Sequence, residues 1–328
     1  MTSPRARLAS MAAAVSIVAT LGLVQSSPAQ ADPDIDDVQD RVDRLYHEAE
    51  QASERYNDAK IELTDLKRDL AGLRSDERRA ARSLGGVRDE VRQAILRQFG
   101  AEGDLGAVDD LAAAGDPGAL LSTLSTMSSY DQLQRGMFDD YSTGLEALAI
   151  RRDATEKRLE QVADVEEQLA DEKQTIDDKL ADAKDLLSDL KEEERQALLS
   201  RGSTRVPSDV PASGRAAAAV QYAMAQVGDA YVYGAAGPSA FDCSGLTMMA
   251  WAQAGIGLPH SSAAQYGTGT RVSTSDLQPG DLVFYYSPIS HVGMYIGNGM
   301  IVHAANPGAG VKVSPMNEMP LVGAVRPG

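Results

Sequence analysis

The chain has 328 residues, with 48 acidic against 31 basic side chains and a formal net charge of −17. Such a surplus argues against nucleic acid as a partner and against docking on an anionic surface through the acidic part. That part ends near Gly214, because beyond it Asp229, Asp242, Asp276, Asp281 and Glu318 are nearly balanced by Arg215, Arg271, Lys312 and Arg326.

At the N-terminus Arg5 and Arg7 precede an apolar run from Leu8 to Val24, and Ala29-Gln30-Ala31 then precedes Asp32. This order predicts a secretory signal over 1–31 and a mature chain from Asp32. A retained anchor is the alternative, although the run is short and Ala-rich for a bilayer span. The mature product is expected outside the membrane, in the cell wall or on the extracellular face.

From 38 to 98 apolar side chains recur at alternating intervals of four and three, through Val38, Val42, Leu45, Ala49, Ala52, Tyr56, Ala59, Leu63, Leu66, Leu70 and Leu73, with Glu77 as an interruption. A repeat of 3.5 held that long predicts a coiled-coil seam. A second run starts at Phe138 and passes through Leu145, Leu148, Leu159, Val162, Leu169, Ile176 and Leu180, with Arg152, Thr155, Glu166 and Lys173 at seam positions. Two runs of similar length predict an antiparallel hairpin over 32–200; a parallel dimer of both helices is the alternative. The tip, about 100–136, carries Leu120, Leu121, Leu124, Met127 and Tyr130 at helical spacing, which reads either as a docking stripe or as a cap on the helix ends.

Residues 201–213 hold Gly202, Pro207 and Pro211 without a periodic face and predict a linker. The remaining 214–328 has the size of one domain. Helices are expected over 216–227 and 243–254. Strands are expected over 281–286, 291–296 and 300–304, the last two joined by Gly297-Asn298-Gly299. Helices followed by antiparallel strands read as α+β.

The single cysteine, Cys243, has no partner for a disulfide within the chain. In an exported protein an unpaired thiol points to chemistry rather than packing. A thiol attacks as the thiolate, and Asp242 is placed to cap a helix that Cys243 begins, which would set the sulfur at the positive helix end. His291 opens a predicted strand and is the candidate base; His303, on the neighbouring strand, is the candidate orienting residue. Zinc is a lesser reading, since no close ligand pair such as C-x-x-C or H-x-x-x-H occurs.

Tyr231-Val232-Tyr233-Gly234, Phe241-Asp242-Cys243-Ser244-Gly245-Leu246, Leu258-Pro259-His260-Ser261-Ser262, Gln278-Pro279-Gly280-Asp281-Leu282 and His291-Val292-Gly293-Met294-Tyr295 resemble, in order, the landmarks of NlpC/p60 cell-wall peptidases. The resemblance implies a papain-like fold and hydrolysis of peptidoglycan stem peptides, typically between D-isoglutamate and meso-diaminopimelate, without a cofactor or metal. By position it makes Cys243 the nucleophile, His291 the base and His303 the polar third residue, and it sets Tyr231 over the nucleophile beside the oxyanion. Asp242, Ser244 and Ser262 fall in motifs that line the substrate groove, where they serve the substrate or only cap helices. His260 departs from the arginine of many relatives, so a substrate-carboxylate contact there is in question. The N-terminal half resembles the coiled coils of actinobacterial RipC-type peptidases, which implies a regulatory arm answering to an FtsEX-type membrane complex at division. The rival readings are an amidase or acyltransferase on the same scaffold, and an inactive wall-binding scaffold.

Overall fold

In a computed structural model of the chain, residues 35–100, 117–188, 190, 192, 210 and 212–328 are described, without the side chains of 94–100, 117–134 and 138. The predicted signal, the apolar stripe at the tip and most of the linker lie outside what is described. Two helices, α1 (Ile35–Gly100) and α2 (Pro117–Ser188), account for the N-terminal half. Asp36 and Asp37 sit in the first turn of α1, where carboxylates favour the positive helix end. Among the described residues no helix is long and apolar enough to cross a membrane.

The helices run antiparallel. Cross-pairs descend α2 as they climb α1: Glu48 with Lys179 at 2.6 Å, Arg55 with Glu172 at 2.7 and 2.8 Å, Lys67 with Glu166 at 2.8 Å, and Glu77 with Arg152 at 3.3 Å. Glu77, the polar interruption of the first predicted seam, therefore meets Arg152, one of those of the second. Ala59, Leu66 and Leu70 pack on Val162 and Val165, and Val38 and Val42 pack on Leu190. Leu145 and Leu159, expected in the seam, are 46% and 39% exposed. The row that accompanies Thr155, Val162, Leu169 and Ile176 lies three residues after each of them, not before. It holds Arg158, Val165, Glu172 and Lys179, whose charged members reach Asp69, Arg55 and Glu48. Long charged side chains cover apolar surface with their stems, and exposed pairs of this kind contribute only about 0–1 kcal/mol each; they set the register more than they stabilise it.

The C-terminal part is α+β as expected. Helices α3 (Gly214–Ala225) and α4 (Cys243–Gln253) and the short α5 (Ser262–Tyr266) precede most of the strands. After the two-residue strands β1 (Ala230–Tyr231) and β2 (Ala240–Phe241) come β3 (Thr270–Val272), β4 (Leu282–Tyr285), β5 (His291–Gly297), β6 (Met300–Ala304), β7 (Val311–Pro315) and β8 (Leu321–Arg326). The last six form one antiparallel sheet in the order β3-β8-β4-β5-β6-β7. The predicted strands fall within a residue or so of β4, β5 and β6; β3, β7 and β8 were not anticipated. One sheet face, with Leu282, Phe284, Val292, Met294 and Val302, packs against Leu246 and Trp251 of α4 and Ala219 and Val220 of α3. That core is closed within residues 210–325, with Val210 and Ala212 of the predicted linker lying against it.

Candidate active site

Cys243 is the first residue of α4 and is fully buried. Asp242 caps the helix, its Oδ1 accepting from the Gly245 N–H at 2.6 Å, so the expected cap is present. Gly245 is required here: a Cβ would lie 2.2 Å from the Ala235 carbonyl oxygen and 3.0 Å from His260 Nε2. The same crowding brings His260 Nε2 within 2.8 and 3.0 Å of the Asp242 oxygens. Burial works against the His260 cation, but the hydrogen bond and charge of Asp242 outweigh it and hold its pKa above the usual range. His260 is thus engaged by the helix cap. Asp242 Oδ2 also accepts from the Gly234 N–H at 2.9 Å, which ties the cap to the loop after Tyr231.

The two other histidines meet on neighbouring strands. His291 Nε2 lies 2.7 Å from His303 Nδ1, and His303 Nε2 lies 3.1 Å from Ser314 Oγ on β7. Gly293 permits the approach, since a Cβ there would crowd His303 Cβ at 3.3 Å and Ile301 at 2.7 Å. Burial, then the neighbouring His291 and Lys312, push His303 well below the usual imidazole pKa. A neutral His303 suits a group that orients His291 through one hydrogen bond rather than sharing its charge.

Helix α1 lies over this centre, an arrangement the sequence had not revealed. Glu50, Ser53, Glu54 and Asn57 occupy one face of α1 and are all buried, at the i, i+3, i+4 and i+7 positions of a single helical stripe. Glu50 Oε1 stands 2.6 Å from His291 Nδ1 and accepts from the Tyr231 hydroxyl at 3.4 Å. Glu54 Oε1 accepts from Ser244 Oγ at 2.8 Å, and Oε2 accepts from Ser262 Oγ at 2.6 Å and from the Ser262 N–H. Asn57 Nδ2 donates to Asp242 Oδ2 at 3.2 Å, and the Tyr233 hydroxyl donates to the Tyr46 carbonyl at 2.9 Å. Every residue singled out from the sequence, Cys243, His291, His303, Tyr231, Asp242, Ser244 and Ser262, is gathered at this one place. The residues missed are those of α1. Polar side chains at helical spacing read as a solvated face, so only their position beside the seam could have marked them.

The charge balance follows. Burial alone would raise the Glu50 carboxyl, but the charge and hydrogen bond of His291 more than offset it and hold Glu50 below the carboxylate range. Glu54 is raised to about 7, first by burial and then by Asp242. The Cys243 thiol is raised well above its usual pKa by burial and by Glu54, Glu50 and Asp242, against a single opposing contribution from the Val292 backbone. Its sulfur lies 3.8 Å from Glu54 Oε1 and 4.0 Å from the Ser290 carbonyl. The helix end expected to favour the thiolate is therefore overridden while α1 is in place. Among the described residues, donor atoms of Glu50, Cys243 and His291 lie within 4.8 Å of one another. The 2.6 Å contact between Glu50 and His291 is a hydrogen bond, since two ligands of one tetrahedral zinc sit about 3.3 Å apart.

Residues 228–322 match the NlpC/P60 family. A protein named probable endopeptidase in Mycobacterium tuberculosis is 53% identical over 106 residues, covering 32% of this chain and 28% of that one. A probable endopeptidase of Corynebacterium glutamicum is 45% identical over 116 residues, covering 35% and 56%. The chain thus spans between a quarter and somewhat over half of the length of these relatives. Among solved structures, the NlpC/p60 domain of the peptidoglycan hydrolase SagA is 37% identical and covers 34% of this chain and 97% of that one, with a TM-score of 0.32. The peptidoglycan hydrolase RipB of Mycobacterium tuberculosis is 30% identical and covers 34% and 64%, also with a TM-score of 0.32.

Proposed function

We propose, for a chain that belongs to the NlpC/P60 family through its C-terminal domain, that it is an exported peptidoglycan endopeptidase cutting stem peptides between D-isoglutamate and meso-diaminopimelate. The observation that carries the reading is the buried Cys243 at the head of α4 next to the His291–His303–Ser314 chain of hydrogen bonds. With α1 withdrawn, the Cys243 thiol gives its proton to His291 and the thiolate attacks the scissile carbonyl carbon. The oxyanion is held by the Cys243 N–H and by the Tyr231 hydroxyl, which Glu50 occupies here. Collapse expels the amine, which takes the proton from His291, and leaves a thioester; a water deprotonated by His291 then releases the acid and frees the thiol. His303 keeps the imidazole oriented through both steps.

Mass spectrometry of the products tests this reading: L-Ala-D-isoGlu released from stem peptides supports it. Cleavage between the sugar and L-Ala would refute it in favour of an amidase, and transfer of the acyl group to an added amine would favour an acyltransferase.

The hairpin restrains the enzyme in this reading. Support comes from α1 lying in the groove, with Glu50 on the base and Glu54 on the groove serines. Export rests on residues 1–31, and release is assigned to a division-associated membrane complex of the FtsEX type that grips the hairpin.

A further inference from the structure

We infer that Lys312, with Glu318 beside it, forms a subsite that reads the departing half of the substrate and takes a carboxylate on that residue. The inference rests on the bond assignment above.

The first ground is placement. Lys312 lies on β7 directly opposite His303 of β6, and cross-strand partners project on the same sheet face. The side chain is largely covered, and its charge is one of the influences that keep His303 neutral. Glu318 Oε1 is 3.8 Å from the ammonium.

The second ground is space. A cavity of about 270 Å³ is bounded by His291, His303, Lys312, Glu318 and Tyr286 of the peptidase and by Asp43 of α1. Glu54, Ser244 and Ser262 are absent from its walls, whereas Glu50 borders it; Glu54, one turn further along α1, holds the two serines. The cavity thus lies against His291, and Cys243 and the serine contacts lie one turn of α1 further on, at Glu54.

The third ground is chemistry. The departing amine takes its proton from the imidazole, so the residue that leaves must sit against His291, on the side of this cavity. The acyl half then lies toward Ser244 and Ser262. A lysine within reach of the leaving residue favours a carboxylate on it, and Glu318 next to that lysine suits a residue carrying an ammonium as well. A diamino dicarboxylic acid joined through one amine brings both. Helix α1 supplies a matching group: Asp43 borders the same cavity, its carboxyl raised first by burial, with the charge of Lys312 acting in the opposite direction.

The test uses residues 210–328, whose core is closed without the hairpin. Its substrates are L-alanyl-γ-D-glutamyl-meso-diaminopimelate and the same peptide with the diaminopimelate carboxylates amidated. The unaltered fragment should favour the free acid roughly ten- to hundredfold in KM, the range of one charge-assisted hydrogen bond. Lys312→Met should erase that preference, and Lys312→Arg should restore part of it. A preference that survives Lys312→Met, or an equal loss on both peptides, overturns the subsite. Calorimetric binding of the two peptides to Cys243→Ala, with and without Lys312→Met, separates the two readings. A fragment that leaves this bond intact refutes the bond assignment, and the subsite stands or falls on whether the carboxylate preference in binding disappears with Lys312.

Discussion

Glu50 of α1 and His291 of β5 meet at 2.6 Å, from Oε1 to Nδ1, and the contact turns the imidazole toward a carboxylate instead of toward the thiol of Cys243. The proposed restraint would therefore act on the Cys243–His291 pair itself as well as on access to it. Removing the carboxylate should release both. In the mature chain, Glu50→Ala should raise the rate at which iodoacetamide alkylates Cys243 by about 10- to 100-fold, the population change expected when a charge-assisted hydrogen bond of about 1.5–3 kcal/mol is lost from the closed form. An unchanged alkylation rate would mean that Glu50 does not hold α1 down.

Nucleophile and base act as one unit, so their losses should not add. Cys243→Ala and His291→Ala, made in residues 210–328, should each remove nearly all stem-peptide hydrolysis, and the double variant should be no worse. His303→Ala should retain more, since an orienting hydrogen bond is partly replaceable by water. Full activity in Cys243→Ser would end the thiolate mechanism.

The pH dependence of closure follows from Glu54, which faces Ser244, Ser262, Cys243 and Asp242 and lies within the field of His260. Closed, its pKa is about 7 against the ordinary 4.5; open, it is a solvated carboxylate. The closed form thus binds the proton more tightly, so its stabilisation is complete below about pH 4.5 and is lost as pH rises through 7. Glu50 is shifted the other way; its contribution is already present above the ordinary carboxylate range and stays flat from pH 5 to 8. Cys243 alkylation in the mature chain should therefore rise with pH more steeply than the same reaction in Glu54→Gln, where only thiol ionisation remains. Parallel profiles would remove Glu54 from the restraint.

Gly245→Ala tests why that motif position is glycine. The added Cβ would stand 2.2 Å from the Ala235 carbonyl, and relief of such overpacking costs typically about 1–3 kcal/mol. Thermal melting of residues 210–328 should show a lower midpoint for the variant, together with lost activity as the Asp242 cap is displaced. An unchanged midpoint would mean that the loop moves aside freely.

The place where Cys243, His291 and His303 meet was legible in the sequence because the chemistry expected of them needs fixed residue types next to fixed turns: an acid cap before Cys243, a strand opening at His291, a hairpin carrying His303 back beside it. The helices were legible from their period. The seam row on α2 was not, because Leu145 and Leu159 look like seam residues and Arg158, Glu172 and Lys179 do not. Apolar preference was outweighed there by charges that find partners on α1. Strands β7 and β8 escaped because Val311–Pro315 and Leu321–Arg326 are short runs interrupted by Lys312, Ser314 and Gly323. The docking of α1 is a contact between residues about 190 positions apart, such as Glu54 and Ser244. It depends on polar complementarity, which leaves no periodic trace in either segment.

The central claim, a cysteine endopeptidase held closed by its own first helix, is tested most directly by one comparison of rates. Turnover of a small soluble stem peptide is measured for the mature chain from Asp32 and for residues 210–328 at equal concentration. Such a substrate needs no reach into a polymer, so a hairpin acting only as a spacer leaves both rates alike. The fragment is expected to turn over at least about tenfold faster, in line with the loss of several buried hydrogen bonds from α1. Equal rates would contradict the account.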